Sequence, residues 1–187
     1  MSIFSKLFGK DKNMKDEHID NSAKEKEEKI TIETSFATFY YIGPNPSENG
    51  YEAYFKWYEE GDNKNIDCYI DCNTPETTEA SICLERLTKI YEDREWTDSK
   101  VKRVIAEHFS GSDGMITGYD DKVFSEEELI NELAIRDISL YRNGVITYSV
   151  DHKYMLDIED DEVHVVYDDK GNITFLSTEE LIRQPFL

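Results

Sequence analysis

Cysteine is scarce in this chain, basic residues are outnumbered two to one, and no long apolar run occurs. Three cysteines, an odd number, do not make a disulfide scaffold and point to a reducing cytoplasm. No stretch approaches the roughly 20 apolar residues of a membrane helix, so stable membrane insertion is not expected. The N-terminal stretch lacks a long apolar run and a small-residue cleavage site, which argues against a secretory signal. Also missing are a Gly-x-Ser-x-Gly elbow, a phosphate-binding glycine loop and any standout pair of carboxylates. His18, His108, His152 and His164 stand at no metal-ligand spacing. No catalytic residue, metal or cofactor is therefore expected.

The shortage of bases is the informative absence. The chain has 41 acids against 21 lysines and arginines, a formal charge of −20. Residues 1–29 hold seven lysines and seven acids, so the whole excess falls on residues 30–187, with 34 acids against 14 bases. Such a body repels nucleic acid and anionic membrane and attracts basic partners.

At 187 residues, one domain of ordinary size is expected, preceded by a stub and linker over residues 1–29. Ser2 to Lys10 fits a short amphipathic helix, and lysines at 6, 10, 12 and 15 offer a membrane-surface anchor as one reading. The stretch is too short to stand alone in water and the acidic body opposes anionic lipid, so a terminus that frays or docks on its own domain is expected. Asp11 to Lys29 is a charged linker without a sustained apolar period.

The chain is organised around residues 136–176, where five apolar-alternating segments follow one another, separated by turn signals. Ile138 and Leu140 open it, and Asn143-Gly144 predicts a type I′ hairpin into Ile146, Tyr148 and Val150. Tyr154 to Ile158 gives a third segment. Val163 to Tyr167 and, after Asp168 to Gly171, Ile173 to Phe175 complete a meander. In its acidic turn, Asp157 and Glu159 to Glu162 lack the glycine and ligand spacing of a calcium loop, so a solvated turn is expected.

Upstream, Ile30 to Ile42 reads as one strand. Tyr51, Ala53, Phe55 and Trp57 share one face of the next, with Tyr54, Lys56 and Tyr58 opposite. Ile66, Cys68, Ile70 and Cys72 make the inner face of a third. Residues four apart in a strand lie about 13 Å from each other, too far for a disulfide, so both thiols are expected buried and free. The middle is helical. Thr74-Pro75 predicts the start of a first helix with Ile82, Leu84 and Leu87 in its apolar stripe. Trp96 and Val101 read as a staple about Thr97 that opens a second helix. Residues 110–124 look like an irregular loop. Ser125 with Glu128 and Ser177 with Glu180 are capping boxes of two short helices. The predicted fold is α+β: a mostly antiparallel sheet of about eight strands with a C-terminal meander, and three to four helices packed on one face.

The segment from Ile66 to Leu176 resembles the bacterial family known as domain of unknown function 2262. The resemblance rests on a strand followed by a helix pair with Trp96 between, and a short acidic helix entering Ile138-x-Leu140. It extends to the hairpin Asn143-Gly144-Val145-Ile146 and the turn Asp168 to Gly171. Members tend to carry Phe-Trp-Gly-His where this chain has Tyr154-Met155-Leu156-Asp157. The family has no established activity, so the resemblance implies a bacterial fold and no site residue.

Three functional readings remain open. The first is a protein-binding module for a basic protein, concretely an immunity-type protein that neutralises a basic toxin. Its motivation is the charge together with Tyr40, Tyr41, Tyr51, Tyr54, Trp57 and Tyr58, because aromatics anchor interfaces and charge speeds encounter. The candidate interaction surface is Tyr54, Tyr58, Glu159, Asp160, Asp161 and Glu162. The second is an accessory domain with no specialised surface, which expects Tyr54 and Tyr58 to be buried under the helices. The third is an enzyme whose groups converge from distant positions.

Overall fold

The computed structural model describes residues 29–45, 48–61, 64–76 and 78–184. The amphipathic stub, most of the linker and Pro185 lie outside them. Four antiparallel strands come first: β1 (Thr31–Glu33), β2 (Thr38–Asn45), β3 (Glu48–Lys56) and β4 (Asn65–Asp71). Four more close the chain: β7 (Ala134–Leu140), β8 (Ile146–Asp151), β9 (Glu162–Tyr167) and β10 (Ile173–Leu176). The two meanders meet side by side in one eight-stranded sheet of order β1-β2-β3-β4-β7-β8-β9-β10. Every pairing is antiparallel except β4 with β7. A parallel step needs a crossover connection. Here that crossover holds α1 (Thr78–Glu92), α2 (Arg94–Phe109), a small hairpin of β5 (Met115–Thr117) with β6 (Val123–Ser125), and α3 (Glu126–Glu132). The fold is α+β.

The crossover covers one face of the sheet. Ile66, Cys68 and Ile70 of β4, Ile138 and Leu140 of β7, and Val163 and Val165 of β9 pack there with Leu87 of α1 and Val101 and Ile105 of α2. Phe36, Phe55 and Tyr91 extend this core toward β2, with Phe36 stacked on Tyr91 at 4.2 Å. The short α4 (Thr178–Ile182) takes the other side, where Leu181 packs with Tyr141, Val145 and Val166. Beyond α4, no other described element covers that second face. Both capping boxes form, Ser125 with Glu128 and Ser177 with Glu180. All three cysteines are buried and none is in a disulfide, and burial pushes the Cys68 and Cys83 thiols up from their ordinary values.

Several expectations need correction. Ile30 to Ile42 is two strands, because Thr34 Oγ1 and its backbone amide close a turn on the Ala37 carbonyl. The helix after Thr74-Pro75 starts only at Thr78, since the Pro75 carbonyl accepts the Tyr51 hydroxyl at 2.8 Å and holds that turn against the sheet. No staple surrounds Thr97. α2 begins at Arg94, one residue after α1, which turns Thr97 inward and leaves Trp96 64% exposed under the Lys100 ammonium. Ile82 is exposed, and the smaller Ala80 and Cys83 take the buried stripe with Leu87. Residues 110–124 contain β5 and the first residues of β6 rather than a plain loop.

The meander has four strands instead of five. Residues 152–161 form turns and bends, with Lys153 and Tyr154 at positive φ, and a buried histidine holds them: His152 Nε2 donates to the Asp160 carbonyl and Nδ1 accepts from the Leu156 amide. The Asn143-Gly144 turn is not type I′. Asn143 keeps a negative φ, the Gly144 amide donates to Tyr141 O, and Gly144 alone is left-handed at φ 92°. That is a type I turn closed by a left-handed glycine, and Asp168 to Gly171 repeats it.

Candidate functional site

The uncovered face follows from strand alternation, because every residue between two core residues points away from the helices. Cross-strand register aligns these residues in two rows. One runs Tyr40, Glu52, Tyr69, Ser139, Thr147 and Val166. The other runs Tyr54, Asp67, Asp137, Ser149 and His164. Toward β1 to β4 the rows lie open, and near β9 and β10 they pass beneath α4.

The open part forms a hollow of about 960 Å³. Glu52, Asp67, Asp137 and Glu162 bring four carboxylates to its lining, and Arg136 is the one basic residue there. Arg136 already pairs with Asp151. Tyr40, 46% exposed, and Tyr54, 65% exposed, also line it, while the half-buried Tyr69 donates its hydroxyl to the Asn49 carbonyl.

Electrostatics in the hollow are unfavourable to the fold itself. Asp67 and Asp137 are register partners across the parallel pair, and like charges placed opposite each other destabilise a sheet. Burial, with Asp67 as a further contributor, holds the Asp137 carboxyl above its ordinary range, although a hydrogen bond from Ser149 opposes the shift. Burial and then Asp137 do the same to Glu162, against Arg136.

Under α4 the second row becomes a hydrogen-bonded chain. Ser149 Oγ lies 2.7 Å from His164 Nδ1, and His164 Nε2 lies 3.0 Å from Thr178 Oγ1. Ser149 has one proton to give, and an ionised Asp137 can only accept. The Ser149 hydroxyl therefore donates to Asp137, His164 donates from Nδ1–H to Ser149, and its bare Nε2 accepts from Thr178. Burial lowers the His164 pKa, which keeps the ring neutral. His164 alternates out of phase with the core residues Val163 and Val165, the parity of a solvent-facing residue, yet it is 4% exposed, because α4 covers the alternate face there. Asp, Ser and His are the residue types of a nucleophilic triad, but in a triad the histidine stands between the other two and takes the serine proton. Here the serine is in the middle and only 3% exposed, so the arrangement orients side chains and does not activate Ser149.

The sequence-level surface residues separate. Tyr54 and Glu162 line the hollow. Tyr58 lies past the end of β3, half-buried, where its hydroxyl donates to Asp98 of α2 and accepts from the Ile135 amide. Glu159, Asp160 and Asp161 line a smaller hollow of about 490 Å³ with Tyr119 and Tyr154, and Asp160 also accepts the Thr178 amide at 2.7 Å. Of the tyrosine and tryptophan set, Tyr51 and Trp57 are core and Tyr41 is half-buried, so Tyr40 and Tyr54 alone are exposed. Glu52, Asp67 and Asp137 line the hollow but are not among the residues expected from sequence. Their signal was their parity: each alternates with an apolar residue of β3, β4 or β7.

Among the described residues no group of three or more histidine, cysteine or acidic side chains could hold a metal ion, and no helix is long and apolar enough to cross a membrane. No family model, no curated protein and no solved structure matches this chain.

Proposed function

We propose that this protein is a binding module whose uncovered sheet face receives a basic protein, and that its concrete role is that of an immunity-type protein against a basic toxin. The observation that carries this reading is the set of four carboxylates around one already paired arginine, with Tyr40 and Tyr54 exposed beside them. Apposed like charges cost a fold stability, and proteins keep such arrangements where a partner neutralises them. Lysine and arginine side chains would meet both carboxylates and tyrosine faces there, and the −20 charge would speed their approach. Free, buried thiols agree with a reducing, cytoplasmic setting. The resemblance to the bacterial family of unknown function 2262 belongs to the same proposal and adds a fold expectation only.

The test is co-purification of the tagged protein from its own cell at low salt. A basic partner is expected, with an association rate that falls about tenfold or more as salt rises past physiological strength. Recovery of only acidic partners, or an association indifferent to salt, overturns the reading.

A further inference from the structure

The chain itself contains a segment suited to the hollow. Lys29, the first described residue, sets its Nζ 5.6 Å from the centre of the Tyr40 ring, and Tyr40 lines the hollow. The polypeptide thus enters the fold at the β1 edge of the sheet, with the Lys29 side chain at the rim of the acidic site. Upstream, residues 2–15 carry four lysines against one aspartate, with Ile3, Phe4, Leu7 and Phe8 among them. Residues 16–28 reverse the balance, with six acids against two lysines.

We infer that Ser2–Lys15 is an intramolecular occupant of this hollow, docking its lysines on the carboxylates and its apolar side chains on the tyrosine faces. This deepens the preceding reading and shares its choice of site, adding a competitor that a basic partner must displace. Three considerations support it. The charges are complementary. A nine-residue amphipathic stretch is too short to hold itself together in water and needs a surface. The reach is also ample: thirteen intervening residues span up to about 43 Å when extended, and the three strand spacings from β2 to β7 amount to about 14 Å. The acidic linker is repelled by the same face, which leaves the basic end as the part that docks. Tethering at this length corresponds to an effective concentration on the order of millimolar, so even a weak contact would be populated ahead of a second copy in dilute solution.

Zero-length carbodiimide crosslinking of the full chain, mapped by peptide mass spectrometry, tests the inference without any partner. Lys6, Lys10, Lys12 and Lys15 should join to Glu52, Asp67 or Glu162 within the monomer, with a yield independent of protein concentration. Yield should fall at least about threefold in 0.5 M salt. Crosslinks to Glu162 should fall likewise in a Glu52→Lys/Asp67→Lys variant, whose two changes are both at exposed positions. Equal crosslinking to Glu92 and Glu107 of the helices overturns the inference. So do links confined to a dimer that grows with concentration, which would make a second copy the occupant. The partner reading survives such a failure, because it is judged by recovery of a basic partner and by that partner's association with surface variants, neither of which depends on where residues 2–15 lie. If both hold, replacing the four lysines by glutamine should speed association with the partner.

Discussion

Ser149 Oγ lies 2.7 Å from His164 Nδ1, and that contact joins the polar face of β8 to the strand that α4 covers. The imidazole is buried and neutral, with a pKa below its ordinary value. Above about pH 6.5 neither the folded nor the unfolded chain protonates this ring, so its contribution is fully present there. As pH falls below that, the unfolded chain binds a proton that the folded protein resists, and stability is lost until the folded pKa is passed. Thermal unfolding should therefore show a decline from pH 7 toward pH 5.5 that is shallower in His164→Gln. A nitrogen-15 spectrum should show the proton on Nδ1; a proton on Nε2 would contradict a Ser149 hydroxyl that donates to Asp137.

Asp137 carries the opposite linkage. Its folded pKa is raised, so the folded protein takes up a proton at a higher pH than the unfolded chain does. The charged form costs stability at neutral pH, and the cost disappears as pH falls through the folded pKa toward the unfolded one. Asp137→Asn should accordingly raise the melting temperature at pH 7, with the gain shrinking to nothing near pH 4. It should also weaken partner association by removing a carboxylate from the hollow. A variant destabilised at pH 7 would mean that the Ser149 hydrogen bond outweighs burial and the repulsion from Asp67.

Gly118 sits where a Cβ atom would run into the Met155 carbonyl and the Phe124 ring. Both obstacles belong to packed elements: the Tyr119 amide donates to Met155 O at 3.1 Å, and Phe124 is core. Gly118→Ala should cost about 1–3 kcal/mol in urea unfolding, the usual range for overpacking. A neutral result would show that the loop over residues 152–158 can move away freely.

Cys68, Cys72 and Cys83 are buried and outside any disulfide, with the thiols of Cys68 and Cys83 raised by burial. Because the thiolate is the reactive form, a disulfide reagent at pH 8 should leave the folded protein essentially unmodified and titrate the thiols only on unfolding. Rapid reaction of the native protein would place at least one thiol at the surface.

Strand parity made most of this architecture readable in advance. The Tyr51 to Trp57 and Ile66 to Cys72 alternations became inner faces of β3 and β4, and both serine–glutamate capping boxes formed where their spacing put them. Long-range contacts decided the rest. Tyr154 to Ile158 has a strand's alternation, but Leu156 is buried beside His152 in a loop that no strand partner reaches. Trp96 and Thr97 look like a helix start only if Asp93 does not already begin one. Tyr54 could be placed outward from alternation alone. Tyr58 could not, because the chain turns after Lys56 and its hydroxyl is claimed by Asp98, forty residues away in sequence. The hollow was the least legible part. Asp67 and Asp137 become neighbours only through the parallel β4–β7 pairing, and no local pattern announces which strands lie side by side.

The most direct measurement compares the association rate of the recovered partner with three proteins at two salt concentrations: the native chain, a Glu52→Lys/Asp67→Lys variant on the uncovered face, and a Glu92→Lys/Glu107→Lys variant on the helices. The two variants change the net charge equally, so a general electrostatic effect acts on both alike. If the hollow is the binding surface, the sheet-face variant should bind at least about tenfold more weakly, and the helix variant should stay within about threefold of the native chain. Equal losses in both variants, or a larger loss in the helix variant, would contradict the account.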